Sequence, residues 1–494
     1  MMYRLDPKQE IRVENQAETT EPSPEAAKKS RRRRVAHLAV VCVLAALVAT
    51  AVGILRWRIE LSCASVSTIS DPQPVDASAG SSGDDAVEAL PDGSILATVG
   101  YTVSGSKENS TATAQVTWND DWFFADSAAY NHELAQAAAA ISCVANGESY
   151  HFFDKDAAPS DHMQALFSKL GFEYASTASY RFRSTVIDQV ARVFDPSGIN
   201  TTAYAIASKH ITSSQTGERK LLVLVAARGS WGPEWLSNLQ MSLSSSFVEG
   251  TEVGEGDHTG FSGAARDLCQ QIYSYIEKLQ EIDPSIPLGD VSLMLCGHSR
   301  GGAMANLSAA YFDQLANEFE GSEVDDAASL GDEYIHRESI YSYSFASPEV
   351  TDNEDCRDAL YDNIFNLVNP ADIVPRMPLT SWGYSRYGRD LWLPEYGMAG
   401  FEEKYEQAAD EFYRIVGSDA LTDPRDVAEI EQIVDRLGEF FPTLSDAQDP
   451  LAAVKVVWTF FDGHDFLRIL RSHACSFYLS WMNVVDASDL RANR

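Results

Sequence analysis

A short segment near the middle of the chain has the residue types of a serine nucleophile. The sequence GHSRG at residues 297–301 follows the pattern G-x-S-x-G, in which a serine lies on a sharp turn between a strand and a helix. The apolar residues 291–296 precede this turn, and an alanine-rich, helix-like segment follows it. Glycine at both flanking positions is typical of a turn at which larger side chains would collide with the neighbouring strand and helix. The pattern therefore predicts that Ser299 is a nucleophile.

The other members of such a site must come from later in the chain. A serine hydroxyl needs a base and a carboxylate to react, and with this turn the chain order is serine, acid, histidine. Only His464 and His473 follow the last predicted strands, and their nine-residue separation would put them on opposite sides of one helix. Asp372 lies directly after a predicted strand, between two prolines, and Asp352 is the alternative acid.

The elements that would position these residues have the pattern of an α/β fold. From about residue 202, apolar strand-like stretches such as LLVLVAARGS and VSLMLC alternate with helix-like ones such as FSGAARDLCQQIYSYIEKLQEI. Such strands alternating with helices predict a mostly parallel central sheet that is covered on both faces. Residues 98–200 mix strand-like and helix-like stretches, and residues 400–460 resemble an acidic helical insertion before the C-terminal helix.

Charge and hydropathy divide the chain near residue 58. Residues 1–58 carry a net charge of +5, which leaves −39 for the remainder of a chain whose total is −34. A body this acidic repels DNA and RNA, so nucleic acid is excluded as a partner. Residues 35–55 form a 21-residue apolar run, about the length that crosses a bilayer as a helix.

The basic residues around this run predict its orientation. Six basic residues precede it and Arg56 and Arg58 follow it, so the positive-inside rule predicts a cytoplasmic N-terminus and an extracytoplasmic body. The alternative is a cleaved signal peptide with Ala49-Thr50-Ala51 as its site, which would give a secreted protein. We expect a cytoplasmic tail over 1–34, a transmembrane signal anchor over 35–55, a flexible linker over 56–97 and one folded domain over 98–494.

Metal-binding and cofactor motifs are absent from the sequence. Seven cysteines in 494 residues are too few for a disulfide scaffold, and no Cys/His cluster has zinc-ligand spacing. No phosphate-binding or dinucleotide-binding glycine pattern occurs either. We therefore expect no cofactor and no metal. Spacing alone leaves open any pairing among the cysteines at 143, 269, 356 and 475. The sequence also leaves the oligomeric state open.

Four sequence blocks occur in a shared order between about residues 202 and 380. They are AARGSWGPEWLSNL, DHTGF, GHSRGGAMAN, and YSFASPEVTDN with NLVNPADIVPRMP. In this order they resemble the F-R-G-[ST] block with its D/E-W-x-x-N/D-L continuation, H-x-G-F, G-H-S-L-G-G, and the G-S-P-x-V and D-x-V-P-R-x-P blocks of the class 3 lipases. The resemblance implies an α/β-hydrolase fold and the hydrolysis of carboxylic esters.

The resemblance also implies roles for individual residues. Ser299 matches the nucleophile, Asp372 the acid and Ser230 the oxyanion-hole residue, and the N–H of Arg300 would be the second oxyanion donor. The terminal block SHACSFYLSWM resembles the family's H-x-x-x-x-Y stretch, which favours His473 over His464 as the base. In the family the segment after the oxyanion serine is a lid, so a possible lid here includes Trp235, Leu236 and Leu239, with a fixed helix as the alternative.

Three features depart from the family pattern. Arg300 replaces a leucine next to the nucleophile, 101 residues separate Asp372 from His473, and residues 98–200 have no counterpart in the simplest members. The sequence as a whole predicts a membrane-anchored, extracytoplasmic serine hydrolase that cleaves lipid esters, either triacylglycerol or phospholipid. The alternatives are an acyltransferase and a catalytically silent binding module on the same scaffold.

Overall fold

The structure is a computed structural model, and it describes residues 71–76, 87–103, 111–148, 161–182, 203–229, 259–320, 333–443, 446 and 466–492. The chain divides into two units, Met1–Leu61 and Ser62–Arg494, and every described residue belongs to the second. The predicted tail, the predicted transmembrane segment and most of the predicted linker lie outside the described residues. Among the helices that are described, none has the length and apolar character needed to cross a bilayer.

A nine-stranded sheet forms the centre of the second unit. Its strand order is β1-β5-β6-β7-β8-β9-β10-β11-β12, and a separate three-stranded antiparallel sheet has the order β2-β3-β4. The strands are β1 (Gln73–Pro74), β2 (Glu88–Ala89), β3 (Ile95–Thr102), β4 (Thr111–Trp118), β5 (Tyr174–Ser176), β6 (Tyr204–Thr212), β7 (Arg219–Ala227), β8 (Val291–His298), β9 (Ile340–Phe345), β10 (Ile364–Val368), β11 (Arg389–Trp392) and β12 (Arg491–Ala492).

The parallel sheet predicted from the sequence is confirmed for the five central strands, β7 to β11. The flanking strands β1, β5, β6 and β12 pair antiparallel. Strand β6 departs from the predicted parallel pattern because residues 213–218 connect it directly to β7, and so short a connection can join only antiparallel neighbours.

Nine helices are described in the second unit. Helices α4 and α5 share one hydrophobic core with one face of the sheet, and α1 and α9 share another core with the opposite face. The helices are α1 (His132–Glu148), α2 (His162–Lys169), α3 (Ser179–Phe182), α4 (Thr259–Ile282), α5 (Arg300–Glu320), α6 (Phe401–Val416), α7 (Asp426–Phe440), α8 (Phe466–Ile469) and α9 (Cys475–Val484).

Side-chain alternation along the central strands explains why both faces are covered. On β7, Leu222 and Leu224 belong to the core with α1 and α9, whereas Leu221 and Val223 belong to the core with α4 and α5. Successive side chains of a strand point to opposite faces, so a continuous apolar strand must be buried on both.

The region 401–440 contains helices α6 and α7. Side chains of α7, including Ile430, Ile433 and Leu437, form a small hydrophobic cluster with Ile373 and Met377. This cluster places α7 against the segment that directly follows Asp372. Helix α7 of the predicted insertion is therefore packed next to the end of β10, whereas α6 belongs to the core that contains α1 and α9.

Candidate active site

The turn at Ser299 has the backbone geometry that its sequence predicts. Strand β8 ends at His298 and helix α5 begins at Arg300, which leaves Ser299 alone between them with φ at 58°. Its N–H donates a hydrogen bond of 2.8 Å to the carbonyl of Phe345 on β9. A positive φ costs a non-glycine residue on the order of 1–3 kcal/mol, which the surrounding structure must offset. The turn projects the Ser299 side chain beyond the carboxyl end of the sheet.

Two glycines allow this turn to form. A Cβ atom on Gly297 would lie 2.3 Å from the Gly301 carbonyl oxygen, and a Cβ on Gly301 would lie 2.2 Å from the carbonyl oxygen of Ala227. Both distances are impossible for real atoms, so strand β8, helix α5 and strand β7 approach one another too closely for any other residue. The spacing of the G-x-S-x-G motif thus follows from backbone contacts around Ser299.

The structure brings Ser299, His473 and Asp372 into one chain of hydrogen bonds. The Ser299 Oγ lies 2.8 Å from the His473 Nε2, and the His473 Nδ1 lies 2.8 Å from the Asp372 Oδ2. With the proton on Nδ1, the ring donates to the carboxylate and its Nε2 accepts from the serine hydroxyl. This tautomer is the one a general base needs in order to take the serine proton.

The carboxylate of Asp372 is fully buried and is bound by three donors. Besides His473, the Tyr478 hydroxyl donates to its Oδ2 at 2.8 Å and the Val374 N–H donates to its Oδ1 at 3.0 Å. Burial, and then the charge of Asp372, raise the pKa of Tyr478 well above its ordinary value. The phenol therefore stays protonated and remains a donor. The hydroxyl also accepts the N–H of Asn369 at 3.1 Å, which ties the end of β10 to helix α9.

A buried arginine fastens the segment after Asp372. The Arg386 guanidinium donates to the Pro375 carbonyl at 2.7 Å and to the Ser347 carbonyl at 3.2 Å. It also forms a forked ion pair with Asp390, with contacts of 3.1 and 2.8 Å. Burial by itself would raise the pKa of Asp390. The charge of Arg386 outweighs burial, together with other effects, and the pKa of Asp390 lies well below its usual range. Arg386 thus links the loops that follow β9 and β10.

A second histidine, His298, packs against the ring of His473. The His298 ring is 4.8 Å from the His473 ring and 5.5 Å from the Tyr478 ring. Burial, and then the proximity of His473, lower the pKa of His298 well below its ordinary value, while a hydrogen bond to the His473 backbone opposes this shift. His298 is therefore neutral at physiological pH. A neutral His298 ring can pack against His473 without repelling the positive charge that His473 carries when it is protonated.

Helix α1 contributes one side chain to this region. The Asn146 Oδ1 accepts the N–H of Gly229 at 2.7 Å, and its Nδ2 lies 3.4 Å from the His298 Nδ1. Gly229 is the residue before Ser230, the predicted oxyanion residue. A Cβ atom on Gly229 would lie 2.6 Å from the His298 carbonyl oxygen, so the chain passes here directly against the nucleophile turn. Asn146 therefore ties the start of this segment to α1.

The remaining predicted site residues have different outcomes. Arg300 is buried and is the first residue of α5, so its N–H is at a helix N-terminus next to Ser299. Asp352 lies after β9, and the Nδ1 of His473 pairs with Asp372 instead. The positions outside the described residues are Ser230, the possible lid residues Trp235, Leu236 and Leu239, and the alternative base His464.

Sequence reasoning missed three supporting residues, of which only one had a signal. Tyr478 is the final residue of the H-x-x-x-x-Y stretch, so its position was visible although its contact with Asp372 was not. Asn146 lies in an alanine-rich helix with no motif, and Arg386 lies in a segment without one. Their contacts become apparent only when distant parts of the chain are brought together.

Part of the chain matches a known protein family. Residues 224–382 match the model of the lipase (class 3) family. About a third of the chain is thus similar to the class 3 lipases. It contains Ser299 and Asp372 of the hydrogen-bonded chain, whereas His473 lies beyond it. The match confirms the resemblance predicted from the four blocks, and it supports the predicted class of carboxylic ester hydrolase.

Solved lipase structures resemble parts of the chain. A triacylglycerol lipase with a serine protease triad as its catalytic centre is 20% identical over 40% of this chain and 64% of its own, with a TM-score of 0.28. The lipase of Rhizomucor miehei in its propeptide complex is 19% identical over 54% and 70%, with a TM-score of 0.32. The lipase of Rhizopus microsporus var. chinensis is 17% identical over 44% and 70%, with a TM-score of 0.25. This chain therefore spans just under two thirds of the first of these lipases.

Proposed function

We propose that the protein is a serine hydrolase that cleaves carboxylic esters of lipids, triacylglycerol or phospholipid, with Ser299 as nucleophile, His473 as base and Asp372 as acid. The observation that carries this proposal is the pair of 2.8 Å contacts on either side of the His473 ring. A histidine that contacts a strained serine with one nitrogen and a buried carboxylate with the other has the geometry of an activated nucleophile. The class 3 lipase match supports an ester as the substrate.

The geometry supports a two-step acyl transfer. The Ser299 Oγ attacks the ester carbonyl while the His473 Nε2 accepts its proton, and the buried Asp372 carboxylate stabilises the imidazolium that forms. His473 then returns the proton to the leaving alcohol. In the second step it deprotonates a water molecule, which releases the fatty acid from the Ser299 ester. This mechanism needs neither a metal ion nor an organic cofactor.

The negative charge on the carbonyl oxygen needs donors beside Ser299. The Arg300 N–H, at the start of α5, is one such donor, and the N–H of Ser230 is the second that the family resemblance implies. Gly229, directly before Ser230, is fixed by Asn146 at 2.7 Å. Neutral His298 keeps a second positive charge away from the His473 imidazolium. These groups would favour the charge distribution of the transition state over that of the substrate.

The location of this activity is also a proposal. The apolar run at 35–55, with its excess of preceding basic residues, supports a single-pass anchor in the cell membrane with a cytoplasmic N-terminus. The acidic domain would then act outside the cytoplasm, tethered by the Ser-, Asp- and Pro-rich linker. Its lipid substrate would be at or near the membrane surface. Protease protection of the C-terminal domain in sealed vesicles tests this orientation.

The function is tested with the full chain and p-nitrophenyl esters of two to sixteen carbons, together with labelling by a fluorophosphonate probe. We expect turnover and labelling by the natural chain, and loss of both in Ser299→Ala, because only an activated serine reacts with the probe. The optimal acyl length then distinguishes an esterase from a lipase. A folded protein with neither turnover nor labelling would contradict the proposal and favour a silent binding module. Labelling without hydrolysis would favour an acyltransferase.

The two candidate bases offer a matched control. His473→Ala should lower kcat by about 10⁶-fold, whereas His464→Ala should leave kcat within a few-fold of the natural value. Both variants remove one imidazole from the same stretch of chain, so a general effect of histidine loss would appear in both. If His464→Ala were the inactive one, the assignment of the base to His473 would be wrong.

A further inference from the structure

Two cysteines that are far apart in the sequence meet beside the candidate active site. The Cys143 Sγ, on helix α1, lies 2.9 Å from the Cys475 Sγ, at the first residue of α9. Both are free thiols, as are the other cysteines of the described residues, Cys269, Cys296 and Cys356. Spacing alone could not indicate this pair, because 332 positions separate its members.

The position of Cys475 gives the contact a functional context. Cys475 is two residues after His473, so helix α9 begins almost directly after the base. Next to the pair, the Tyr101 hydroxyl and the Ser476 hydroxyl are hydrogen-bonded at 2.7 Å, which holds the start of α9 against strand β3. Cys143 is about one helical turn before Asn146, so both side chains lie on the same face of α1. Through Cys143 this face contacts the start of α9, and through Asn146 it contacts Gly229 and His298.

We propose that Cys143 and Cys475 are a redox pair whose disulfide braces the segment carrying His473 against helix α1. A disulfide has a sulfur–sulfur distance of about 2.0 Å, so the two sulfur atoms need to approach by roughly 0.9 Å from their present 2.9 Å. The brace would add a covalent link two residues after the base.

The oxidation balances as two thiol–disulfide exchanges with a donor disulfide, such as oxidised glutathione or a protein dithiol oxidase. Cys475, the more exposed residue of the pair, loses its proton and attacks the donor, which forms a mixed disulfide and releases one donor thiolate. Cys143 then loses its proton and attacks the Cys475 sulfur, which forms the intramolecular disulfide and releases the second donor thiolate. The two protons go to these thiolates, and two electrons pass to the donor.

The environment of the pair determines how fast it reacts. Burial, and then the neighbouring Cys143, raise the pKa of the Cys475 thiol well above its ordinary value. Because the thiolate is the attacking species, exchange at this site is slow. Once formed, the disulfide would therefore exchange slowly, which suits a brace and not a rapidly cycling switch.

The test uses the full chain equilibrated with oxidised or reduced glutathione, followed by blocking of free thiols with N-ethylmaleimide and non-reducing peptide mapping by mass spectrometry. We expect peptides containing Cys143 and Cys475 to be joined after oxidation, with the loss of two hydrogen atoms. We also expect the thermal unfolding midpoint to rise by roughly 5 °C or more, because closing so long a loop restricts the unfolded chain. Reduction with dithiothreitol should reverse both effects.

Serine variants distinguish the effect of the Cys143–Cys475 disulfide from the effects of other thiols. Cys143→Ser and Cys475→Ser should lose the rise in midpoint, whereas Cys269→Ser, a change at another partly exposed cysteine, should keep it. The peptide map itself needs no variant, so it remains decisive if a serine variant does not fold. Alkylation of both cysteines after oxidation, or pairing of Cys475 with Cys296, would overturn the proposal. A cross-link that leaves the midpoint unchanged would overturn the bracing role.

Discussion

The loop that carries Asp372 and the turn that carries His473 are held in different ways. The acid loop is fastened by buried side chains: Arg386 binds its Pro375 carbonyl, Tyr478 binds Asp372, and the Asn369 side chain accepts the Ala371 N–H at 3.0 Å. The turn Leu470–His473 has no side-chain cap at its start. A contact of 3.4 Å from Asn369 to the Ser472 carbonyl links it to the acid loop.

This difference suggests a division of labour between the two loops. The acid loop is held rigidly. The contact between Asp372 and the His473 Nδ1 then orients the histidine ring. On the other side, the His298 ring and the Cys143–Cys475 contact limit movement of the base. We therefore expect changes on the acid side to affect activity and stability together, and changes near α1 to affect the position of the base.

Within the acid loop, the largest expected effect comes from the charge of Asp372. Asp372→Asn keeps the shape of the side chain but removes the charge that stabilises the His473 imidazolium and selects its tautomer. We expect kcat to fall by about 10³- to 10⁴-fold with little change in KM. Asp352→Asn is the matched control, since it removes the other acid considered from the sequence, and it should retain near-natural activity in the same ester assay. Equal losses in both variants would contradict the assignment.

The anchoring of the acid loop is tested at Arg386. Arg386→Met removes one partner of a buried ion pair and leaves Asp390 with Arg357 at 2.8 Å, so we expect the free energy of unfolding to fall by about 3–5 kcal/mol. Arg357→Met removes the other partner of Asp390, but Arg357 is about one third exposed. That variant should therefore lose much less in the same urea denaturation experiment. Similar losses in both would show that Arg386 has no special role.

Much of this difference between the two loops cannot be predicted from the sequence. Ser299 is readable because strand, turn and helix are contiguous, and Asp372 because a strand end and two prolines mark its loop. The helix-phase comparison of His464 with His473 does not apply, since His473 ends a 3-10 turn and not an α-helix. The antiparallel pairing of β6 and the contacts of Asn146, Arg386 and Cys143 depend on which distant elements become neighbours. Local pattern carries no information about that.

Helix α1, which supports the base side, contains a pH-sensitive residue at its end. Burial is the main cause that raises the pKa of Glu148 from 4.5 to about 8. The fold thus favours the neutral carboxyl, and its contribution to stability is complete below pH 4.5 and is lost as the pH rises through 8. We expect the natural chain to lose roughly 5 kcal/mol across this window relative to Glu148→Gln. Denaturation curves measured at several pH values check this, and parallel curves for the two proteins would contradict it.

The smallest effect we expect is at Tyr478, where the acid loop and the base side meet. Tyr478→Phe removes one of three hydrogen bonds to Asp372 and leaves the ring packing intact, so we expect kcat to fall about 10-fold, the value of one hydrogen bond to a charged group. The Asn369 N–H loses its acceptor as well, which lets the end of β10 move. If the acid loop is held rigidly, KM should stay nearly constant while kcat falls. An unchanged kcat would mean that Arg386 and the Val374 N–H hold Asp372 without the phenol.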